Sequence, residues 1–572
     1  MITDGVREPV LMSDVCIVGG GPAGISLALR LAEDGDLDVD LLESGGLAFE
    51  EETQRLAHAD TVGAAYYPLH ETRIRALGGS TWSYGGVCTR FDALGFEARP
   101  WVRNGGWPFA RSTLDPYLDP ALELCGITPT DRETVDRATA ATFATAGLDA
   151  TQVAPVPIYF GRPVRFGPAY RAAMAAASRL RVRLHTTATG LLVEQGRVVG
   201  VQVVSNGHRA VVRARAVVLA AGGVENARLL LIAGLGGDAT GRYFMEHPRV
   251  VDRYRIKAGD TPLGRFVGGG AAGTLRFFRL SIADAVQRRE HLINQHVNLQ
   301  LGYAGQLSRQ WPAVRRMAIL TRSPWNESPY YQDAGGGRLT FRPGDLATAL
   351  RRPDQAFLGA LGALTERPSL RRFLEVTSTI EQVPEHDNRV ELLPEVDALG
   401  MPRARLRWSV GEAEERTYRR GLQIVVEQLE RLEPGLASAR LPEPDPWPSQ
   451  LVGTWHHEGT TRMHPDASLG VVDPDCRVHG LANLFVAGSS VFPVSGSTSP
   501  TVTIVQIALR LGDHLRGRLA AGDMPVPAAL AEGAPSTAAR LPGAASMAHR
   551  AIVRPTRTAS RTMIAKASGP AE

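Results

Sequence analysis

Apolar runs separated by glycine-rich breaks set the pattern at the start of the chain. Residues 14–18 are mostly apolar and predict a short buried strand. Glycines follow at once, and apolar residues at helical spacing from Ile25 to about Ala32 predict a helix that ends near Gly35. A second apolar run at 39–43 predicts the next strand. The sequence therefore opens with a strand–helix–strand unit.

The same kind of pattern returns in the middle and near the end of the chain. Short β-branched runs split by glycines are typical of hairpins. These predicted hairpin strands lie at 182–184, 190–194, 198–204 and 210–212. The run at 216–221 predicts a buried strand followed by a helix from about Glu225. A last strand at 484–487 precedes a helix from about Pro500 to Leu515.

These elements predict an interrupted first domain and a second domain built from the stretches between them. The first domain takes 12–90, 182–250 and 452–520, and the second takes 91–181 and 251–451. A chain of 572 residues is long enough for two such domains. Residues 523–572 are rich in Ala, Pro, Ser, Thr and Arg without periodicity, which predicts a disordered tail.

Composition narrows the possible partners. The formal charge is +4 and no basic stripe is interleaved with aromatic residues, so no nucleic-acid partner is expected. Nowhere do about eighteen apolar residues run together, so no membrane-spanning helix is expected either. The four cysteines form no CxxC pair, and no signal-peptide pattern opens the chain. These features predict a reducing, cytoplasmic location.

A glycine fingerprint lies between the first predicted strand and the first helix. The pattern is Gly19-x-Gly21-x-x-Gly24, and the acid Glu43 ends the next strand. Gly19 permits a tight turn, Gly21 lets a pyrophosphate approach the backbone, and Gly24 lets the helix pack closely. The helix N-terminus then faces the phosphates, and Glu43 would accept hydrogen bonds from a ribose. Because the fingerprint occurs once, FAD is favoured over a pyridine nucleotide.

Four separated segments together resemble the glucose–methanol–choline (GMC) oxidoreductase family over residues 12–520, and the second of them is most similar to the family's sugar-acid and polyol dehydrogenases. They are the fingerprint, the Arg75–Gly86 segment with its Gly-Gly-Ser-Thr-Trp run, Met245-Glu246-His247-Pro248, and the block from Trp455 to Leu515. The resemblance implies an α/β fold with a discontinuous Rossmann-like FAD-binding domain. It also implies an α+β substrate-binding (cap) domain with a mostly antiparallel sheet. The implied activity is hydride transfer from an alcohol carbon to FAD.

The resemblance also implies which further residues contact the cofactor. The second segment supplies Gly78, Gly79, Ser80, Thr81 and Tyr84, and the last block supplies Gly488, Ser489, Pro500 and Thr501. Ser83 stands where some relatives place a histidine that bonds FAD covalently, so FAD is expected to be non-covalent. Tyr84 either hydrogen-bonds the flavin or packs as part of the core.

Two adjacent histidines are the candidates for the catalytic base. The family's base is the histidine three residues before a Gly-Thr pair, and His456 holds that position. Neighbouring residues of an extended segment point to opposite sides, so the alternative is that His457 faces the site. Histidine suits this role because its pKa is close to working pH.

Ser499 is the main departure from the family's pattern. It stands where relatives place Asn or His to hold the substrate oxygen. A serine could donate one hydrogen bond there, with Glu458 or a water helping. It could equally cap the helix that follows, with Pro500 in the first turn.

Several functional alternatives stay open at the level of the sequence. The substrate is expected to be a sugar, a polyol or a hydroxylated natural product, and no metal is expected. The electron acceptor is either oxygen or a carrier of the quinone or cytochrome type. A hydroxynitrile-lyase-like enzyme on the same fold, or a non-catalytic flavoprotein subunit, are the alternative functions.

Overall fold

The computed structural model describes residues 1–161, 163–268, 279–318, 344–441, 447, 451 and 453–524. Its strands are β1 (Ile2–Asp4), β2 (Val10–Val18), β3 (Val39–Leu42), β4 (Asp60–Gly63), β5 (Val87–Cys88), β6 (Val153–Val156), β7 (Tyr159–Phe160), β8 (Leu180–Leu184), β9 (Thr186–Glu194), β10 (Arg197–Ser205), β11 (His208–Leu219), β12 (Arg249–Arg255), β13 (Arg279–Ile282), β14 (Gln295–Tyr303), β15 (Arg371–Ile380), β16 (Arg389–Val396), β17 (Pro402–Trp408) and β18 (Leu484–Val486). Its α-helices are α1 (Pro22–Ala32), α2 (Glu51–Gln54), α3 (Leu118–Leu124), α4 (Pro129–Thr145), α5 (Phe166–Ala176), α6 (Gly222–Ala233), α7 (Pro262–Gly268), α8 (Asp284–Glu290), α9 (Trp311–Ala318), α10 (Asp345–Leu350), α11 (Pro353–Thr365), α12 (Glu412–Leu429) and α13 (Thr501–Ala520).

The largest sheet has eight strands and is mostly parallel. Its order is β1-β8-β3-β2-β11-β10-β9, and β18 pairs with β11 beside the hairpin strand β10. The short strands β3 and β18 and the last four residues of β2 are buried, as is typical of parallel strands covered on both faces. This sheet contains strands at each predicted run, but the run at 182–184 was wrongly predicted as a hairpin strand: it lies in β8, which pairs in parallel with β1 and β3. The predicted runs at 210–212 and 216–221 are one continuous strand, β11.

The carboxyl ends of four parallel strands meet along one edge of this sheet. Val18, Leu42 and Leu219 lie side by side in the register of β2, β3 and β11. Leu219 also pairs with Val486 of β18. Since the loop after each strand starts from this edge, the glycine fingerprint, Glu43 and the start of α6 are brought together.

A second, antiparallel sheet stands apart from the first. Its five strands run in the order β12-β15-β14-β13-β6, with every pair antiparallel. The helix α12 packs against it through a buried face that includes Tyr418, Leu422 and Val425. A smaller sheet, β16-β17-β4, joins residues near the start of the chain to residues near 400. The mixed architecture confirms the predicted fold class.

Three boundaries of the predicted segments differ from the structure. Val250 was placed in the first domain, yet it lies in β12 of the antiparallel sheet. The stretch 91–181 does not stay in one domain: β6 joins the antiparallel sheet, whereas α5 packs beside α1 and α3 beside α13. The last helix extends to Ala520 because apolar residues such as Leu515 and Leu519 stay buried.

Met524, in the second position of the predicted tail, packs against the first domain. Met524 is fully buried, and its carbonyl accepts a hydrogen bond of 2.9 Å from Arg215. The chain is therefore still packed at the point where the composition changes. The remainder of the predicted tail, 525–572, lies outside the described residues.

Among the described residues, no helix combines the length and the apolar composition that a membrane crossing requires. All four cysteines are buried as free thiols.

Candidate active site

A cavity of about 530 Å³ opens along the edge where the parallel strands end. Its walls come from the loops after β2, β3, β11 and β18 on one side. On the other side the antiparallel sheet contributes residues of β12, β13, β14 and β15. The N-termini of α1, α6 and α13 all reach this cavity, through Pro22, Gly222 and Thr501. Three helix N-termini at one cavity form a strong setting for anionic groups.

The glycine fingerprint is shaped by close backbone approaches. Gly19 has a φ of +111°, which only glycine adopts readily. A Cβ at Gly24 would lie 2.0 Å from the carbonyl oxygen of Gly19, so the helix can come this close only with glycine. A Cβ at Gly21 would meet nothing within 4 Å, which leaves open space above the start of α1. The loop is therefore a cradle with room for a pyrophosphate.

Glu43 lines the cavity but already holds the loop in shape. Its Oε2 accepts a hydrogen bond from the N–H of Gly20 at 2.9 Å, and its Oε1 accepts one from Gly45 at 2.8 Å. Burial raises the pKa of this carboxyl, and these backbone donors act in the opposite direction. Each oxygen keeps a further lone pair, so a ribose hydroxyl could still donate to it.

Replacing Gly24 by alanine is expected to abolish FAD retention, because its Cβ would collide with the Gly19 carbonyl and displace the phosphate cradle. The measurement is the ratio of flavin to protein absorbance after gel filtration. The matched control is Gly517→Ala in α13, where a Cβ would meet nothing within 4 Å. This control should keep its flavin and be stabilised by up to about 1 kcal/mol. A yellow Gly24→Ala protein with full flavin content would contradict the close-packing argument.

The second motif supports the fingerprint from the side. The N–H of Gly78 donates to the Gly20 carbonyl at 2.7 Å, and a Cβ at Gly79 would lie 3.0 Å from Cα of Gly21. Gly79, Ser80 and Thr81 line the cavity, whereas Gly78 and Gly24 lie behind it. The hydroxyl of Thr81 donates to the Gly78 carbonyl at 2.6 Å, so it shapes the turn.

The hydroxyl of Tyr84 already has a hydrogen-bond partner within the protein. Its ring packs against the main core and also lines the cavity, and its hydroxyl lies 2.8 Å from Cys88 Sγ. Of the two alternatives for this residue, the structure favours packing over a hydrogen bond to the cofactor. Ser83, the residue expected to leave FAD non-covalent, lines the same wall.

The start of α13 corrects one expectation. Ser499 does not cap the helix: Pro500 is the N-cap residue, no side chain caps this N-terminus, and the Pro500 carbonyl accepts from Ile504 at 2.8 Å. Ser499 lines the cavity instead, and its hydroxyl makes no hydrogen bond with any described residue. Pro500, Thr501 and Gly488 line the cavity beside it.

The remaining predicted contact on this wall is Ser489. Its hydroxyl donates to the carbonyl of His457 at 2.7 Å. The strand end that carries Gly488 is thereby fixed to the segment that carries the two histidines.

The two adjacent histidines have different surroundings, although both line the cavity. His457 Nε2 lies 3.1 Å from the hydroxyl of Tyr66, and its ring packs against Phe244. Burial lowers the pKa of His457 to about 3. His456 instead makes its side-chain hydrogen bonds through Nδ1, and its Nε2 bonds to no described residue.

A buried carboxylate, Glu246, organises the segment around His456. It accepts hydrogen bonds from the hydroxyls of Tyr66 at 2.6 Å and Thr454 at 2.8 Å. The backbone N–H groups of His247, Trp455 and His456 also donate to it at 2.9–3.0 Å. Burial raises the pKa of this carboxyl, and the donated hydrogen bonds act in the opposite direction. Glu246 thus fixes the backbone on both sides of His456.

The hydrogen bonds determine which nitrogen of His456 carries the proton. Thr454 donates its hydroxyl proton to Glu246, so its oxygen can only accept from His456 Nδ1, at 2.9 Å. His247 donates Nε2–H to the Ser495 carbonyl at 3.2 Å, and burial lowers its pKa to about 4. Its Nδ1 is therefore also an acceptor, 2.8 Å from His456 Nδ1. The proton of neutral His456 lies on Nδ1, which leaves Nε2 with a free lone pair.

Glu458 takes no part in this site. It was expected to help hold the substrate oxygen, but it is fully buried and does not line the cavity. Burial raises the pKa of its carboxyl well above the usual value, and nearby Glu246 and Glu381 add to this effect.

Glu246, His247 and His456 place three possible metal-ligand atoms within 4.8 Å of one another. These atoms already take part in the hydrogen bonds described above. The cluster is therefore a hydrogen-bonded network that holds protons in fixed positions.

The sequence did not single out the polar wall contributed by the antiparallel sheet. Arg249, Arg279, His296, Asn298 and Thr379 all line the cavity. The one signal in the sequence is the strand at 295–303, where polar His296 and Asn298 alternate with apolar residues. A second missed group is the ion-pair cluster at the start of α6, where Glu225 pairs with Arg73 and Arg75. Burial raises the pKa of Glu225, but the arginines outweigh it and hold the pKa at about 2.

Comparison with known families agrees with this geometry. A model of FAD-dependent oxidoreductases matches residues 14–241, and a model of GMC oxidoreductases matches residues 384–508. The first match spans the glycine cradle, and the second spans His456 and the start of α13. The open space at Gly21 and Gly222 and the three helix N-termini fit the phosphates of FAD. The chain is an FAD-dependent oxidoreductase, which confirms the predicted cofactor.

Within that class, the model that matches residues 384–508 and the full-length relatives support the GMC oxidoreductase family. It is 25% identical to an oxygen-dependent choline dehydrogenase of Vibrio vulnificus (strain YJ016), over 87% of this chain and 93% of that protein. It is 26% identical to a C-glycoside 3-oxidase of Microbacterium trichothecenolyticum, over 58% of this chain and only 53% of that protein. The solved structure of pyridoxine 4-oxidase from Mesorbium loti has the same fold, with a TM-score of 0.54, 18% identity and coverage of 88% and 99%.

Proposed function

We propose that this enzyme oxidises the carbinol group of a small hydroxylated molecule, with His456 as the base that takes the hydroxyl proton. The observation that carries the proposal is the free lone pair of His456 Nε2 in the cavity, with the imidazole proton held on Nδ1 by Thr454 and His247. The names of the relatives, which include an oxidase of C-glycosides and a choline dehydrogenase, support an alcohol as substrate.

The electrostatic surroundings keep His456 able to accept a proton. Burial lowers its pKa well below the usual value, and His247, His457 and the arginines Arg279 and Arg249 act in the same direction. The imidazole is therefore neutral at physiological pH. A neutral base next to an alcohol hydroxyl assists removal of hydride from the carbon.

Two further features of this chain support the same reaction. The hydroxyl of Ser499 is available to donate a hydrogen bond to the substrate oxygen. The N-terminus of α13 reaches the cavity at Thr501, where its dipole stabilises negative charge. Bound FAD supplies the hydride acceptor, and the protein supplies the base and the orientation.

We further propose that FAD is held without a covalent bond, since a serine occupies position 83. The reduced enzyme then passes electrons to oxygen or to a carrier of the quinone or cytochrome type. The names of these relatives, two oxidases and an oxygen-dependent choline dehydrogenase, support oxygen as the acceptor.

The experiment that tests the proposed function follows the visible spectrum of the purified protein without oxygen. Addition of a matching alcohol from a panel of sugars, polyols, hydroxy acids and simple alcohols is expected to bleach the flavin band. Deoxy analogues of the same molecules are the control and should leave it unchanged. Admission of air, followed by a quinone, then separates the two classes of acceptor. A flavin that dithionite bleaches and no alcohol does, together with cleavage of cyanohydrins, would replace alcohol oxidation by a lyase.

A further inference from the structure

One buried arginine in the cavity wall lacks the carboxylate partners that Arg228 and Arg99 have. Arg228 is 2% exposed and bonds to Asp397, Glu225 and the Pro402 carbonyl. Arg99 is 3% exposed and forms a two-point ion pair with Glu381. Arg279 is 8% exposed, yet its single hydrogen bond with a described residue runs from Nε to Asn298 at 2.7 Å. No described carboxylate lies within ion-pair distance of Arg279.

The register of the antiparallel sheet fixes where this guanidinium lies. Arg279 and Asn298 are direct cross-strand partners, and so are His296 and Thr379. Arg249 of the neighbouring strand also pairs with Thr379. These side chains form one continuous wall of the cavity. The hydrogen bond from Nε to Asn298 holds the guanidinium plane, and its Nη1 is buried without a partner among the described residues.

The charges around Arg279 leave this end of the cavity positive. Burial lowers its pKa to about 10, so it stays charged at neutral pH. Arg249 is close enough to lower that pKa further, and Asp92 acts in the opposite direction. Burial and Glu381 raise the pKa of Asp92 to about 6, so it carries a negative charge at neutral pH, but it lies beyond ion-pair distance of Arg279. The facing imidazoles of His247, His296 and His456 have lowered pKa values and are neutral.

We propose that the substrate is a hydroxy acid whose carboxylate binds Arg279, with Arg249 beside it, while its carbinol faces His456. A buried guanidinium without a counter-ion is unfavourable unless a ligand supplies one. The arginine fork matches a planar carboxylate with two parallel hydrogen bonds. The negative charge of Asp92 behind this wall repels anions. It repels a doubly charged phosphate more strongly than a singly charged carboxylate, so a carboxylate is favoured. This inference rests on the proposed alcohol oxidation and names its substrate class.

The reaction leaves the carboxylate unchanged. Bound FAD would supply the acceptor for the hydride of the carbinol carbon, His456 Nε2 would take the hydroxyl proton, and the product would be the corresponding oxo acid. Arg279 is charged before and after this step, so it positions the substrate and takes no proton.

The test uses the full-length, FAD-loaded protein without oxygen and matched pairs of substrates. The pairs are glycerate and glycerol, lactate and 1,2-propanediol, gluconate and glucitol, and mandelate and 1-phenyl-1,2-ethanediol. The acid of at least one pair is expected to bleach the flavin at a concentration about 30- to 4,000-fold lower than its neutral partner. Equal bleaching by both members of every reactive pair would overturn the inference and leave alcohol oxidation standing.

The substitution Arg279→Met is expected to remove the preference for the acid over its neutral partner. Arg279→Lys keeps the charge without the fork and should give an intermediate preference. The matched control is Arg253→Met, a residue of β12 that pairs with Glu375 outside the cavity. Thermal unfolding separates positioning from structure, since loss of an uncompensated buried charge should leave the melting temperature of Arg279→Met unchanged or higher. A folded Arg279→Met protein that keeps the full preference would overturn the assignment.

A binding measurement keeps this inference separate from the catalytic proposal. Acetate has no carbinol, and it is expected to perturb the oxidised flavin band of the wild type but not that of Arg279→Met. Acetamide should perturb neither protein. If acetate binds in this way while no alcohol bleaches the flavin, the result supports the anion site and contradicts alcohol oxidation. If inorganic phosphate perturbs the band and acetate does not, the carboxylate assignment is wrong.

Discussion

Replacing His456 by alanine is expected to slow anaerobic flavin reduction by a substrate alcohol about 100- to 10,000-fold, the usual contribution of a positioned general base. The lone pair of Nε2 disappears from the cavity, while the rest of the wall stays in place. Glu246 keeps its hydrogen bonds to Tyr66, Thr454 and the backbone, so the segment should hold its shape. Stopped-flow absorbance at saturating substrate measures the loss directly.

The matched control for this substitution is His457→Gln, one residue further along. A glutamine amide can still donate to the Tyr66 hydroxyl, which His457 Nε2 contacts at 3.1 Å. This variant should reduce its flavin within a few-fold of the wild-type rate. Dithionite must bleach both variants, which shows that FAD is bound. The opposite pattern, with His457→Gln inactive and His456→Ala active, would assign the base to His457.

Replacing Arg99 by alanine is expected to lower the free energy of unfolding by about 3–5 kcal/mol. Arg99 and Glu381 are both fully buried and joined by two hydrogen bonds of 2.7 and 2.5 Å. Glu381 also accepts two hydrogen bonds from Asn294, which tie it to the start of β14. The substitution would leave a buried carboxylate with neutral donors only. Urea unfolding followed by fluorescence measures the change.

A half-exposed ion pair provides the control for Arg99. Arg132 Nε lies 2.7 Å from Asp119, with side chains that are 24% and 42% exposed. Arg132→Ala should change the free energy of unfolding by less than about 1 kcal/mol. The double substitution Arg99→Met with Glu381→Leu should recover part of the lost stability, since it leaves no isolated charge. An Arg99→Ala protein as stable as Arg132→Ala would show that the buried pair contributes little.

The parts of the fold that the sequence could predict are those that local pattern determines. The strand before Gly19, the helix after it and the strand that ends at Glu43 form one short stretch whose spacing has few alternatives. The failure at Ser499 has a local cause too. A serine before Pro500 fits a helix cap by statistics, but the helix starts one residue further on and the hydroxyl faces the cavity.

The parts that could not be predicted depend on contacts between distant segments. Arg279 stands in an ordinary short strand, and its importance follows only from its pairing with Asn298 and from the cavity beside it. The role of His247 depends likewise on its contact with His456, which lies 209 residues further along the chain. Long-range register of this kind leaves no periodic signal in a single sequence.

The pairing of β18 with β11 has a consequence for how the protein is made. Leu484–Val486 of β18 pairs with the carboxyl end of β11, next to the carboxyl ends of β2 and β3. The helix α13 then packs on α1. A ribosome releases the early strands long before these last elements emerge. During synthesis the apolar carboxyl end of β11 therefore stays unpaired on the side that β18 later occupies. Exposed strand edges of this kind favour aggregation. Because Gly488 and Thr501 line the cavity, the cofactor site is complete only when translation is nearly finished.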